Sequence, residues 1–175
     1  MMNLKEATKI KHKIAEQMPF NLKMIKGEIS KDEYLFYLIQ QLEIFNTIEQ
    51  NKLPHPSLAR KDKFLDDIKE LKDTVNKDFN ILPSTIKYVD YLKSLNYEEI
   101  LPHIYLNYLA LMFGGQIMKK SLPSKGNIYN FDNFPEAMQS IRNLQKDEWA
   151  DEVNKGFDFI IKIFDELEKE TFNNS

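Results

Sequence analysis

The sequence predicts an all-α fold in a single domain, and three observations carry that expectation. Apolar residues recur at three- and four-residue spacing along almost the whole chain, and no stretch sustains the alternation of a half-buried strand. Helix-start signals recur along the chain: Asn3 with Glu6, Ser30 with Glu33, and prolines at 19 and 135 placed to open helices. At 175 residues the chain is the size of one ordinary domain, and no linker, repeat or low-complexity tract divides it. Residues 1–175 therefore read as one domain. A domain of this size buries roughly 70% of the surface of its unfolded chain, enough for a core and one pocket.

The elements follow in order. A first helix is expected over about Leu4 to Gln17, with Asn3 and Glu6 as its capping pair. Pro19 opens a short helix that Gly27 stops. Ser30 and Glu33 box the start of a helix over about Lys31 to Asn51, whose Tyr34, Leu35, Tyr37, Leu38, Leu42, Phe45 and Ile48 make a buried stripe. Pro54-His55-Pro56 is a loop. The next helix runs from about Arg60 to Asn76 on Phe64, Leu65, Ile68 and Leu71. Ser84 is expected to cap a helix reaching about Leu95. A long apolar helix spans about Glu98 to Leu122, with Pro102 near its first turn. After an irregular stretch, Pro135 opens a helix to about Gln145, and the last helix runs from about Asp147 to Thr171.

Composition excludes several classes of function. The net charge of -3 gives no global basic field for nucleic acid, and lysines and acids are interspersed. With no cysteine there is no disulfide, thiolate metal site or cysteine nucleophile, which suits a cytoplasmic protein. The start lacks the apolar core of a signal peptide, no run approaches the ~18 apolar residues of a membrane span, and the final residues are too polar for a tail anchor. No partner of nucleic acid or membrane is expected, and the chain reads as a monomer, with a dimer as the alternative.

Two segments carry the chemistry. Lys5-Glu6-Ala7-Thr8-Lys9-Ile10-Lys11-His12 puts Lys5, Lys9 and His12 within about a 60° arc of an ideal helix. Neutral imidazole is a good iron ligand, and the lysines could meet carboxylates. A solvated lysine-rich face with a surface histidine has the same spacing, so spacing alone leaves both readings open. The second segment, His103 to Gln116, places Gly114 and Gly115 inside a helix, where each glycine costs about 1 kcal/mol relative to alanine. The pair either kinks the helix or admits something against its backbone: a planar ligand or a neighbouring element. No strand precedes it and no Gly-x-x-x-x-Gly-Lys pattern surrounds it, so it is not a phosphate loop.

Together, an iron-competent histidine and a backbone stripped of side chains are what a flat tetrapyrrole needs, and the two segments resemble the heme-facing helices of the heme oxygenase family. The resemblance extends in order along the chain: Gly27-Glu28-Ile29-Ser30 with Tyr34, then Tyr129-Asn130-Phe131, Arg142, and Val153 to Leu167 with Phe157 and Ile163-Phe164-Asp165-Glu166-Leu167. It implies a bundle with heme sandwiched between the N-terminal, proximal helix and a Gly-kinked distal helix. It implies His12 as proximal iron ligand, Lys5, Lys9, Tyr105 and Arg142 on the propionates, Phe157 against the heme, and Gly114 and Gly115 bringing distal backbone close. On an ideal helix Tyr105 points away from Gly114, so its role needs the kink.

Three positions depart from the family's pattern. Ala110-Leu111 stands where the family usually has Gly-Asp, an Asp that orders distal water for proton delivery to bound dioxygen. Asn107 replaces an Arg, and Met138 replaces a propionate-binding Lys. Heme binding is therefore implied more firmly than turnover. The activity implied is O2- and reductant-dependent opening of heme b, at once substrate and cofactor, to biliverdin, CO and ferrous iron. The electrons would come from a ferredoxin, flavodoxin or NADPH-dependent reductase. Without the Asp, Asn107 and Gln116 are the nearest candidates by sequence for proton supply, and they stay unranked. Lys9, Lys11, Lys119, Lys120 and Lys125 could dock an acidic donor.

Other readings remain open. A heme carrier or sensor would have lost turnover with the Asp. A di-iron oxidase wants Glu-x-x-His pairs, and none of the three histidines follows a Glu at that spacing. A thiamin-degrading helical enzyme wants a catalytic cysteine. A plain helical interaction module is the remaining reading. His55 reads as a loop residue, His103 as a packing or capping residue, Trp149 as core or rim, and Met112 and Met118 as adaptable packing.

Overall fold

A computed structural model of the chain describes residues 2–173. Among them the secondary structure is helical, with no strand. The helices are α1 (Leu4–Ala7), α2 (Lys9–Glu16), α3 (Pro19–Ile25), α4 (Lys31–Ile48), α5 (Lys61–Lys72), α6 (Pro83–Lys93), α7 (Tyr97–Met118), α8 (Phe134–Arg142) and α9 (Ala150–Asn173), with 3-10 turns before α5, α8 and α9. The all-α expectation holds. Asn174 and Ser175, the last of the polar tail, lie outside the described residues.

The local signals explain most boundaries. Asn3 accepts from the Glu6 N–H at 2.9 Å. Ser30 and Glu33 form a reciprocal capping box, Glu33 N donating to Ser30 Oγ at 3.1 Å and Ser30 N to Glu33 Oε1 at 3.0 Å. Pro19 and Pro83 open their helices, where the missing N–H would have no partner anyway. Gly27, at φ 69°, takes the left-handed turn after α3, and the Ser121 side chain packs against it.

Three expectations change. The first helix is split at Thr8 (φ -107°, ψ 0°), whose hydroxyl donates back to the Leu4 carbonyl at 2.9 Å. Ser84 is not a cap. Leu82 holds that position and cannot cap with its side chain, so α6 is capped from other helices. Gln40 Oε1 accepts from Leu82 N, and Glu166 Oε1 accepts from Ser84 N, both at 2.9 Å. The long helix starts one residue before Glu98, because Asn96 and Glu99 form a second capping box.

α9 is the hub of the bundle and packs against α2, α3, α4, α6 and α7, while α4 packs against α5 and α6. The N-terminus is tied to this hub. Leu4 N donates to Asp147, Asn154 donates to the Ala7 carbonyl, and Lys11 pairs with Asp158 at 2.6 Å. The loop between α7 and α8 is held from the far side. Asp67 accepts from Asn127 N and Ile128 N, both at 3.0 Å. Arg60, 2% exposed, donates to five carbonyls, those of Ser57, Leu58, Ala59, Ile128 and Asn130. Its guanidinium lies 3.7 Å over the Phe131 ring. Burial, opposed by Glu49, lowers its pKa to about 10, so it stays charged at neutral pH.

Arg60→Met should therefore be costly. It removes the donors to five carbonyls, and a buried group left unpaired costs about 1–3 kcal/mol. With partial rescue by water, urea denaturation should show a loss of roughly 3 kcal/mol or more. A loss below 1 kcal/mol would mean that the clamp does not hold the loop.

Candidate functional site

The site begins where α7 loses its cover. Over its first half, the face carrying His103, Leu106 and Asn107 is buried, with Gly156 of α9 seated on Leu106 and the His103 ring. One turn further, the continuation of that face is open. Ala110 is exposed, Gly114 is partly so, and Phe113 and Ile117 are 48% and 75% exposed. Two large apolar side chains bared beside an alanine and a glycine make a flat, apolar, uncovered helix face. Arg142, at the end of α8, sits at its rim with its guanidinium 5.5 Å over the Phe113 ring.

The glycine pair divides its labour. A Cβ on Gly115 would lie 2.0 Å from Tyr129 Cδ1, so the buried Tyr129 ring packs directly on the helix backbone there. A Cβ on Gly114 would meet only Met118 Cε, at 3.8 Å, on the open side. The close neighbour is thus a protein ring at Gly115, and free space at Gly114. α7 runs through the pair to Met118.

His12 stands on the exposed face of α2. Its ring stacks on Phe157 of α9, centroids 5.6 Å apart at 20°, and Nε2 lies 3.0 Å from Glu16 Oε1. Phe157 follows Gly156, the residue against α7, so one helical turn of α9 touches both α2 and α7. Lys5 and Lys9 are exposed beside His12, Lys9 within α2 and Lys5 across the break at Thr8.

The other named residues lie apart from this face. Leu111 is buried in the core, 6% exposed. Tyr105 packs edge-on against Trp149, centroids 6.2 Å apart. Gln116 Nε2 donates to the Tyr129 carbonyl at 2.9 Å. His55 accepts from Ser57 N, a loop role as expected. Among the described residues no cluster of three or more His, Cys, Asp or Glu could hold a bare metal ion, and no helix is long and apolar enough to cross a membrane.

His103 does more than pack. Fully buried, it bonds to Tyr88 Oη through Nδ1 (2.7 Å) and to Glu152 Oε1 through Nε2 (2.9 Å). Burial lowers its pKa from the ordinary 6.5, against the raising effect of Glu152. A depressed histidine pKa means that the folded state resists protonation. Its stabilisation is complete above pH 6.5 and is lost as pH falls below it. Glu152 is also shifted. Desolvation raises its pKa, but hydrogen bonds from Tyr91 and His103 outweigh that and leave it below the ordinary 4.5, so its loss comes at lower pH. Urea denaturation at pH 7.5 and 5.5 should show a drop in stability that is smaller in His103→Gln. An equal drop in both would show that His103 is not the group responsible.

The arrangement thus offers an exposed histidine braced on α9 and an open apolar face on α7, with α9 packed against both helices. Among known protein families, the heme oxygenase model matches residues 1–166. The chain belongs to the heme oxygenase family. It is 27% identical over 206 residues to heme oxygenase 2 of Macaca fascicularis, covering 95% of this chain and 64% of that protein, so it spans less than two thirds of that relative. Heme oxygenase 1 of the cyanobacterium Synechocystis is 25% identical, with 94% of this chain and 83% of that one covered. In fold, the chain superposes on a crystal structure of Synechocystis heme oxygenase-1 in complex with heme, with a TM-score of 0.82 at 23% identity, covering 98% and 93% of the two chains.

Sequence reasoning named His12, Gly114, Phe157 and Arg142, and the structure stacks His12 on Phe157 of α9 and sets Arg142 over Phe113, on the open face of α7 that also carries Gly114. It missed Phe113 and Ile117, although their spacing with Ala110 and Gly114 marks one face. Tyr88 and Glu152 left no local signal, because each meets His103 only through the fold.

Proposed function

We propose that this chain is a working heme oxygenase. Heme would lie between α2 and α7 and be opened with O2 and external electrons to biliverdin, CO and ferrous iron. The observation that carries this is the uncovered face of Ala110, Phe113, Gly114 and Ile117 on α7, over the same helix that braces His12. The residues present suit a porphyrin: one exposed imidazole, apolar side chains bared on one face, space at Gly114, and cations at the edges.

Bound heme would supply the iron at which O2 is activated, and is itself the molecule consumed. His12 would ligate through Nε2, leaving the exposed Glu16 carboxylate, and Phe157 would hold the ring in orientation. Such an exposed pair is worth about 0–1 kcal/mol, so Glu16 is a weak competitor. Lys5, Lys9 and Arg142 would pair with the propionates, and Tyr105 would have to reach them from its seat on Trp149. Ala110 and Gly114 keep the distal face clear, while Phe113 and Ile117 exclude water. The exposed Lys120 and Lys125 would dock an acidic electron donor in the cytoplasm, Lys9 being engaged with a propionate. Lys11 is already paired with Asp158 and is a weaker contributor.

A second reading, a heme carrier or sensor, is favoured by Leu111, which is buried and brings no carboxylate to the distal side. Hemin titration followed by reductant and catalase in air separates the two. A histidine-type Soret band that decays into the red absorption of biliverdin supports turnover. A saturable band that persists supports the carrier, and no saturable binding sinks both.

A further inference from the structure

A chain of hydrogen bonds runs beneath the closed half of α7, and each donor in it is fixed by its neighbour. Asn107 has one amide atom 2.9 Å from the His103 carbonyl oxygen, which can only accept, so that atom is Nδ2. The same Nδ2 lies 3.0 Å from Tyr88 Oη, which accepts its second hydrogen. The Tyr88 hydroxyl hydrogen then goes to His103 Nδ1 at 2.7 Å. His103 therefore carries its own hydrogen on Nε2 and gives it to Glu152 Oε1 at 2.9 Å, where Tyr91 Oη donates as well.

Every donor points outward, from Asn107 toward the carboxylate. A carboxamide is a poor proton carrier, and this order of donors holds a geometry and does not feed protons inward. It also fixes the other half of the amide. Asn107 Oδ1 receives no hydrogen bond from the described residues, yet it is not among the polar atoms that are both unpaired and shut off from solvent. It stands one turn before Ala110 and two before Gly114 on the same face. The chain thus ends in an acceptor oxygen without a protein partner, on a residue one turn from the open face.

We propose that, with heme bound, Asn107 Oδ1 would hold a water beside the open face of α7, and that Tyr88, His103 and Glu152 are positioning residues that fix the orientation of the amide. The proposal rests on the heme reading. Accepting one hydrogen from that water leaves its second free to donate to a diatomic ligand, the service that Leu111 cannot give from the core. It also ranks the two side chains that the sequence left equal. Gln116 is held to the Tyr129 carbonyl and lies off the face of Ala110 and Gly114, while Asn107 lies on that face.

The test compares wild type, Asn107→Leu and Tyr88→Phe as ferrous CO complexes by infrared spectroscopy, which needs no turnover. Wild type should show a C–O stretch lowered by hydrogen bonding and sensitive to D2O. Asn107→Leu should move it up to the value of an apolar pocket. Tyr88→Phe, which frees the amide to turn, should move it part of the way and also serves if the leucine variant does not fold. O2 should leave the Asn107→Leu ferrous complex about five-fold faster, the worth of one net hydrogen bond. In the ligand-free protein, 15N NMR should find the His103 hydrogen on Nε2, and the opposite tautomer would overturn the assigned chain. Hemin binding through His12 with the same stretch in all three proteins would overturn the proposal and leave the heme reading standing. Failure of the wild type to bind hemin would sink the heme reading first and this proposal with it.

Discussion

His12→Ala should lose the histidine-type Soret band and all ring opening while remaining folded. The two halves of that expectation rest on different observations. The side chain of His12 is 59% exposed, and its main contact with the core is the stack on Phe157. Such a stack contributes about 0.5–1.5 kcal/mol, so urea denaturation should show a loss of at most that size. Hemin affinity should fall much further. Removing groups that merely support a metal ligand typically costs 10- to 100-fold, and removing the ligand should cost at least as much, about 100-fold or more. Imidazole added to the variant should enter the space left beside Phe157 and restore the band. A folded variant that binds and opens heme like the wild type would overturn the assignment of His12. If affinity falls and no amount of imidazole restores it, His12 acts through packing and is not the ligand.

What could be read from the sequence was what adjacent residues enforce. The Ser30–Glu33 capping box closes within one turn, so its residue types and spacing suffice to foresee it. The stripe of Lys9 and His12 survives because both lie in one unbroken helix. The start of α6 was misread because its cap is assembled from Gln40 and Glu166, neither of which is near it in sequence. Arg60 gave no local hint of its role, since two of the carbonyls it holds lie 68 and 70 residues away. The glycine pair shows the limit most clearly. That it needed a reason was legible, but which glycine faces a ring and which faces open space depends on Tyr129. That ring is put in place by Asp67 and Arg60 acting on its loop.

Gly115→Ala and Gly114→Ala, adjacent and chemically identical changes, should act in opposite directions on stability. At Gly115 the new methyl would lie 2.0 Å from Tyr129 Cδ1 and 2.5 Å from Cε1. The Tyr129 ring is 1% exposed, and its loop is fastened on both sides, so it cannot swing clear cheaply. Overpacking of this kind typically costs 1–3 kcal/mol or more, against which alanine returns about 1 kcal/mol of helix propensity. A net loss of about 2 kcal/mol is expected, with a fall in melting temperature of several degrees for a chain of this length. At Gly114 the methyl meets only Met118 Cε at ordinary contact distance, so the propensity term stands alone and stability should rise by up to about 1 kcal/mol. Function should separate the pair the other way. The Gly114 methyl projects into the space proposed for heme, so that variant should be the more stable of the two and yet bind hemin more weakly than wild type. If Gly114→Ala destabilises as Gly115→Ala does, both glycines serve packing within the protein, and the open face of α7 loses its claim on a ligand. If Gly115→Ala is neutral, Tyr129 is free to move, and the clamp at Arg60 and Asp67 does not reach α7.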